Sequence, residues 1–349
     1  MNSAPLKTHL ALQVVLIVAS VFSFSFLFGE VDTSPQFIPQ AAGATNEPYQ
    51  PQAISPGGIV IPIYPPDSPF LKQDRITEAE VYTMHDVPGR IHNIVNVHNP
   101  SIEVHTVPKS SNTGVAMIVL AGGGHKRLII GSEGTDLVPY FYNFGVNTFI
   151  LRYRLRDDGY NAEVDAVNDT LQAIRLIRSR ADEWGIDPDK IGVMGFSAGG
   201  EPSANAALQY VKFDAANNDS SDPLAGVSSR PDFVGLIYTG PSEITKSPET
   251  VEIAKDIPPA FIVCASYGNA SHTRWSFDYY MAMLDKEVPN IEIHMYGNGW
   301  HGGGLTDRGG IPYGTWPDRF IDWFRDLGYL NKPGMKTKAA KDIEAYVAK

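Results

Sequence analysis

Residues Ile191 to Gly200 read IGVMGFSAGG, a buried-type strand running without a polar spacer into glycines around one serine. A run with no polar residue at alternate positions needs cover on both faces, the situation of a central strand in a parallel sheet. Gly195-Phe196-Ser197-Ala198-Gly199 fits G-x-S-x-G, and the small residues after it are able to open a helix. The glycines matter because a sharp strand-to-helix turn leaves no room for Cβ atoms on either side of the serine. On such a turn the Ser197 Oγ points out of the sheet, and the Ala198 amide faces developing negative charge at the helix start.

The rest of the chain agrees with such a sheet. Further apolar runs span Val115 to Leu120, Thr148 to Arg152, Phe233 to Tyr238, Phe261 to Ala265 and Ile291 to Tyr296. Between two of them, Val164, Val167, Leu171, Ile174, Ile177, Ala181 and Trp184 recur at three and four residues, a helical face turned to the sheet. Ile91 to Val97 and Ser101 to Val107 read as an antiparallel pair turning at Asn99-Pro100. The expected fold is one α/β domain over residues 78–330, its mostly parallel central sheet carrying helices on both faces.

Outside that domain the chain changes character. Lys7 precedes an apolar stretch from Leu10 to Phe28, so residues 1–29 read as a signal peptide or signal anchor and the protein as exported. Membrane attachment is expected only through that segment. Residues 30–77 carry repeated prolines, among them Pro48, Pro51, Pro56 and Pro62, and read as an extended linker. Residues 331–349 read as a tail with a short surface helix.

Composition narrows the partners. A net charge of -11 opposes nucleic-acid binding, and Cys264 alone allows neither an intrachain disulfide nor a thiolate metal cluster. His85, His92, His98 and His105 are scattered without metal-ligand spacing and read as structural or surface residues. No cofactor or metal is expected.

Two more segments carry chemistry. Gly122-Gly123-Gly124 follows the Val115 strand, where backbone amides of Gly123 and Gly124 can serve as oxyanion donors. A dinucleotide loop is the competing reading, but no G-x-G-x-x-G runs into a helix. His301, between glycines after the last strand, follows Ser197 in the chain order expected of a general base.

These segments, with LRYRL at 151–155, AIRLIRSRADEWGIDPDK before the serine strand, PPAFIV at 258–263 and WPDRFIDWFRDLGYL at 316–330, resemble α/β-hydrolase esterases. The likeness is strongest to the bacterial secreted branch of carbohydrate acetylesterases, often labelled xylanase or acetylxylan esterase. It implies Ser197 as nucleophile, His301 as base and Gly123, Gly124 and Ala198 around the oxyanion. Glu201 departs from the family, whose members often carry histidine just past the nucleophile. The family's catalytic Asp falls at about Gly268, where neither Tyr267 nor Asn269 is an acid. Loss of that group costs about 10⁴-fold in serine proteases. Asn269, a relocated Glu243 and Asp278, in that order, are the candidates to support His301, beside the possibility that none does.

The expected function is an exported serine esterase releasing small acyl groups, with O-acetyl groups on polysaccharide as the expected substrate. Tyr153 and Trp300 are expected to line its pocket. A degenerate hydrolase that binds carbohydrate or a partner, and a serine peptidase, are the alternatives.

Overall fold

The computed structural model describes residues 47–86, 90–220, 222–305 and 310–349. The expected signal or anchor segment lies outside the described residues, among which no helix is long and apolar enough to cross a membrane. In chain order the strands are β1 (Ile59–Pro62), β2 (Val81–Met84), β3 (Ile91–Val95), β4 (Ser101–His105), β5 (Ala116–Leu120), β6 (Asn147–Arg152), β7 (Ile191–Phe196), β8 (Val234–Ile237), β9 (Ala260–Ala265) and β10 (Glu292–Tyr296). The helices are α1 (Leu137–Tyr142), α2 (Val167–Ser179), α3 (Ala181–Trp184), α4 (Gly200–Ala216), α5 (Glu243–Lys246), α6 (Ala270–Asp285), α7 (Trp316–Leu327) and α8 (Lys338–Val347).

Among the described residues, an 8-stranded sheet runs in the order β1-β4-β6-β5-β7-β8-β9-β10. β4 is antiparallel to both neighbours, and from β6 to β10 every pair is parallel. Side chains alternate across a strand, and the apolar runs therefore feed two cores. Ala116, Ile118 and Leu120 of β5 enter one core with Ile174 and Ile177 of α2. Met117 and Val119 enter the other with Phe320, Trp323 and Phe324 of α7. Helical cover on both faces explains why the strands need no polar positions.

Three expectations need correction. β3 does not pair with β4; it forms a separate two-stranded sheet with β2. Asn96 at φ 64° turns the chain out of β3 before Asn99-Pro100 is reached, so the two runs diverge. The helical face of Val164 to Trp184 is broken at Arg180 (φ -112°, ψ 19°), and Val164 is 49 % exposed in a wide turn ahead of α2. Finally, the described part of the Pro-rich segment is no linker. β1 closes the sheet edge, while Ile54, Ile63, Tyr64, Leu71 and Ile76 enter the core.

A buried ionic clasp fastens that segment. Arg152 at the end of β6 donates to Glu103 Oε2 (2.6 Å), Glu80 Oε2 (3.0 Å) and the Gln52 carbonyl (2.6 Å). Glu103 in turn accepts from the amides of Ile54 and Ser55, each at 2.9 Å. The proline-rich backbone thus finds side-chain partners where it lacks a regular ladder. At the other terminus α8 buries Ala339 and Ile343, so the tail is docked.

Candidate active site

Six parallel strands bring their C-terminal ends to one side of the sheet, where loops of open α/β sheets form their sites. There β7 turns through Ser197–Gly199 into α4. Ser197 has φ 52°, a left-handed conformation that a side chain adopts only under constraint. The constraint is steric. A Cβ on Gly195 would lie 2.2 Å from the Gly199 carbonyl oxygen, and one on Gly199 would lie 2.2 Å from that of Leu120. The Ser197 carbonyl also accepts from the Gly240 amide at 2.7 Å, tying the turn to the segment after β8.

The turn delivers Ser197 Oγ to 2.7 Å from Nε2 of His301. A neutral imidazole with its proton on Nδ1 accepts the hydroxyl hydrogen in that contact. His301 opens onto the cleft on one side. Burial of the other, and the His272 ring beside it, push its pKa down to about 4. The ring is therefore a free base at neutral pH.

A cavity of about 730 Å³ opens beside this pair, and Gly123, Gly124, Ala198, Ser197 and His301 share its wall. Among the described residues neither the Gly123 nor the Gly124 amide donates a hydrogen bond, and both residues have positive φ (132° and 68°). The Gly122 amide differs: it donates to Glu133 Oε2 at 2.7 Å. Glu133 Oε1 also accepts from the Tyr238 hydroxyl at 2.8 Å, and that hydroxyl accepts from the Gly304 amide at 2.9 Å. One buried carboxylate thus links the glycine loop, the end of β8 and the loop carrying His301.

The third-member candidates go elsewhere. Asn269 is buried at the start of α6 and its amide donates to Cys264 Sγ at 3.2 Å. Glu243 opens α5 and accepts from Gln209 at 2.9 Å. Asp278 is on the exposed side of α6. None touches His301, whose Nδ1 has no hydrogen-bond partner among the described residues. Instead the His272 ring lies 4.0 Å away, tilted by 35°, and Tyr238 meets His301 edge-on at 5.1 Å.

The pocket expectations also need correction. Tyr153 is fully buried beneath the glycine loop, its hydroxyl donating to the Ala121 carbonyl at 2.6 Å. Trp300 lies outside the cavity, and Trp275 of α6 lines it instead. Glu201 is buried between His125 Nε2 (3.1 Å) and Lys246 Nζ (2.7 Å). Burial alone would raise its pKa, but those two donors outweigh it and hold the carboxyl below its usual range. Sequence reasoning does not single out His272, Tyr238 or Lys246, since no motif marks residues that meet only through the fold. A second cavity of about 490 Å³, near Asp187, Lys190 and Asp232 at the opposite strand ends, shares no residue with this one. Among the described residues no cluster of three or more His, Cys, Asp or Glu is disposed to hold a metal ion.

Comparison with known proteins agrees with this architecture. Residues 102–262 match the BD-FAE family model, a stretch that holds Ser197 and the glycine loop and ends before His301. An acetylxylan esterase of Xylanibacter ruminicola is 34% identical over 62% of this chain and 45% of its own length. Endo-1,4-beta-xylanase B of Butyrivibrio fibrisolvens is 28% identical over 53% of this chain and 32% of its own. The chain thus spans less than half the length of these relatives. An acetyl ester-xyloside bifunctional hydrolase of Caldicellulosiruptor lactoaceticus has the same fold, with a TM-score of 0.62 and 23% identity over 80% of this chain and 99% of its own. Over residues 102–262 the chain is accordingly similar to the BD-FAE family, and its fold is that of α/β-hydrolase esterases.

Proposed function

We propose that the protein is an exported serine esterase that removes small acyl groups, above all O-acetyl groups, from carbohydrate. Export rests on the apolar stretch from Leu10 to Phe28. The acetylated substrate rests on the likeness to an acetylxylan esterase. The observation that carries the catalytic reading is the 2.7 Å contact between Ser197 Oγ and His301 Nε2.

In this reading Ser197 Oγ attacks the ester carbonyl while His301 Nε2 takes its proton. The oxyanion gathers on the amides of Gly123, Gly124 and Ala198. The imidazolium returns its proton to the departing sugar oxygen, leaving an acyl-serine. Water then attacks that acyl group, His301 again accepting and returning a proton, and the carboxylic acid leaves.

The test compares wild type with S197A on 4-nitrophenyl acetate and on acetylated xylan. A drop in kcat of about 10³-fold or more is expected. The Nδ1 of His301, without a hydrogen-bond partner among the described residues, favours a second reading, a glycan-binding protein without turnover. A wild type as inert as S197A that still binds xylan would establish that reading instead.

A further inference from the structure

The Nδ1 side of His301 has no carboxylate among the described residues, yet its ring is held on three sides. Nε2 meets Ser197, the Tyr238 ring stands edge-on, and the His272 ring lies against one face at 4.0 Å. That face-on neighbour is itself fixed. His272 Nδ1 lies 2.9 Å from the Thr239 carbonyl oxygen, and a carbonyl only accepts, so this nitrogen carries the hydrogen. Trp275 meets the His272 ring edge-on at 4.8 Å. Tyr238 and Thr239 are consecutive, so the end of β8 supplies both the edge contact to His301 and the anchor of His272. His272 itself sits in the first turn of α6, just past the loop where the family's carboxylate is expected.

A carboxylate in a serine triad does two separable things: it orients the imidazole and its tautomer, and it stabilises the imidazolium by charge. A ring fixed against the imidazole face performs the orienting part of the first, since rotation of His301 about its own side-chain axis would drive it into that plate; without a hydrogen bond to Nδ1 it does not choose the tautomer. It supplies no negative charge for the second. We infer that His272 is the positioning residue for His301, doing the orienting half of a triad acid's work, while no carboxylate among the described residues does the charge half. The inference rests on the esterase reading above.

The experiment measures kcat and KM on 4-nitrophenyl acetate for wild type, S197A, H272A and H272F, with thermal melting of each. H272A removes plate and anchor; H272F keeps a plate and loses the Thr239 hydrogen bond. H272A is expected to lower kcat by about 10- to 100-fold, the scale of a misplaced catalytic group, with KM within about twofold. H272F is expected to recover several-fold of that loss. A kcat for H272A within twofold of an active wild type overturns the inference, and so does an H272F as slow as H272A. A wild type no faster than S197A removes the esterase reading and the inference with it.

Discussion

At the level of single residues, the chemistry turns on an imidazole that is easier to use as a base than to charge. With its pKa pushed down to about 4 by burial and by His272, His301 is unprotonated across the range where an ordinary imidazole titrates near 6.5. The acid limb of kcat/KM for an uncharged ester is therefore expected near pH 4, with a plateau through pH 5 to 7. An acid limb at about 6.5 would refute it. The stability effect has a definite sign. The unfolded chain binds the proton between about 6.5 and 4 while the folded one does not, so His301 destabilises the fold progressively as pH falls through that window. Sequence reading reached Ser197, His301 and the glycines because local backbone needs select those residue types at fixed spacings. It passed over His272, whose relation to His301 depends on the juxtaposition of two separate loops. It selected Asn269 for its place after β9, but that amide turns inward to the buried sulfur of Cys264.

Elements show the same division. The central parallel strands were legible within one or two residues, because a fully buried strand has no alternative to continuous apolar sequence. β1 was not legible: its neighbouring prolines imply extended backbone, and extended backbone serves a linker and an edge strand equally well. What distinguishes them is the buried clasp of Arg152, Glu103 and Glu80, drawn from three other segments. Removing Glu103 leaves Arg152 short of a partner and frees two amides. E103A is expected to lose about 3–5 kcal/mol in urea unfolding, the cost of breaking a buried pair. A loss below about 1 kcal/mol would mean that the clasp is not what holds β1.

The whole molecule is acidic, yet its cleft is not. Of the acids on the cavity wall, Glu163 and Glu201 share Lys246, and Glu133 is turned inward. Arg127 and Arg156 also line the cavity, and both are exposed with no ion-pair or hydrogen-bond partner among the described residues. Against a net charge of -11, the cleft wall is close to balanced, and its two guanidinium groups stand exposed at the mouth. Acetylated glycans bearing carboxylates are expected to be processed several-fold faster than neutral ones at low ionic strength. The advantage should fade by about 0.5 M salt, where charges are screened within a few ångströms. R127A/R156A should abolish that difference, and an undiminished preference in the double variant would exclude it.

The clasp also imposes an order on how the domain is made. Gln52 is bound by a residue synthesised 100 positions later, and Ile54 by one 49 positions later. Until β6 has emerged and delivered its guanidinium, the Glu103 carboxylate that holds the earliest part of the domain lacks its buried counter-charge. The antiparallel edge must wait, open, for the middle of the chain. The first described residues of the domain thus wait for its middle before they are fully fastened.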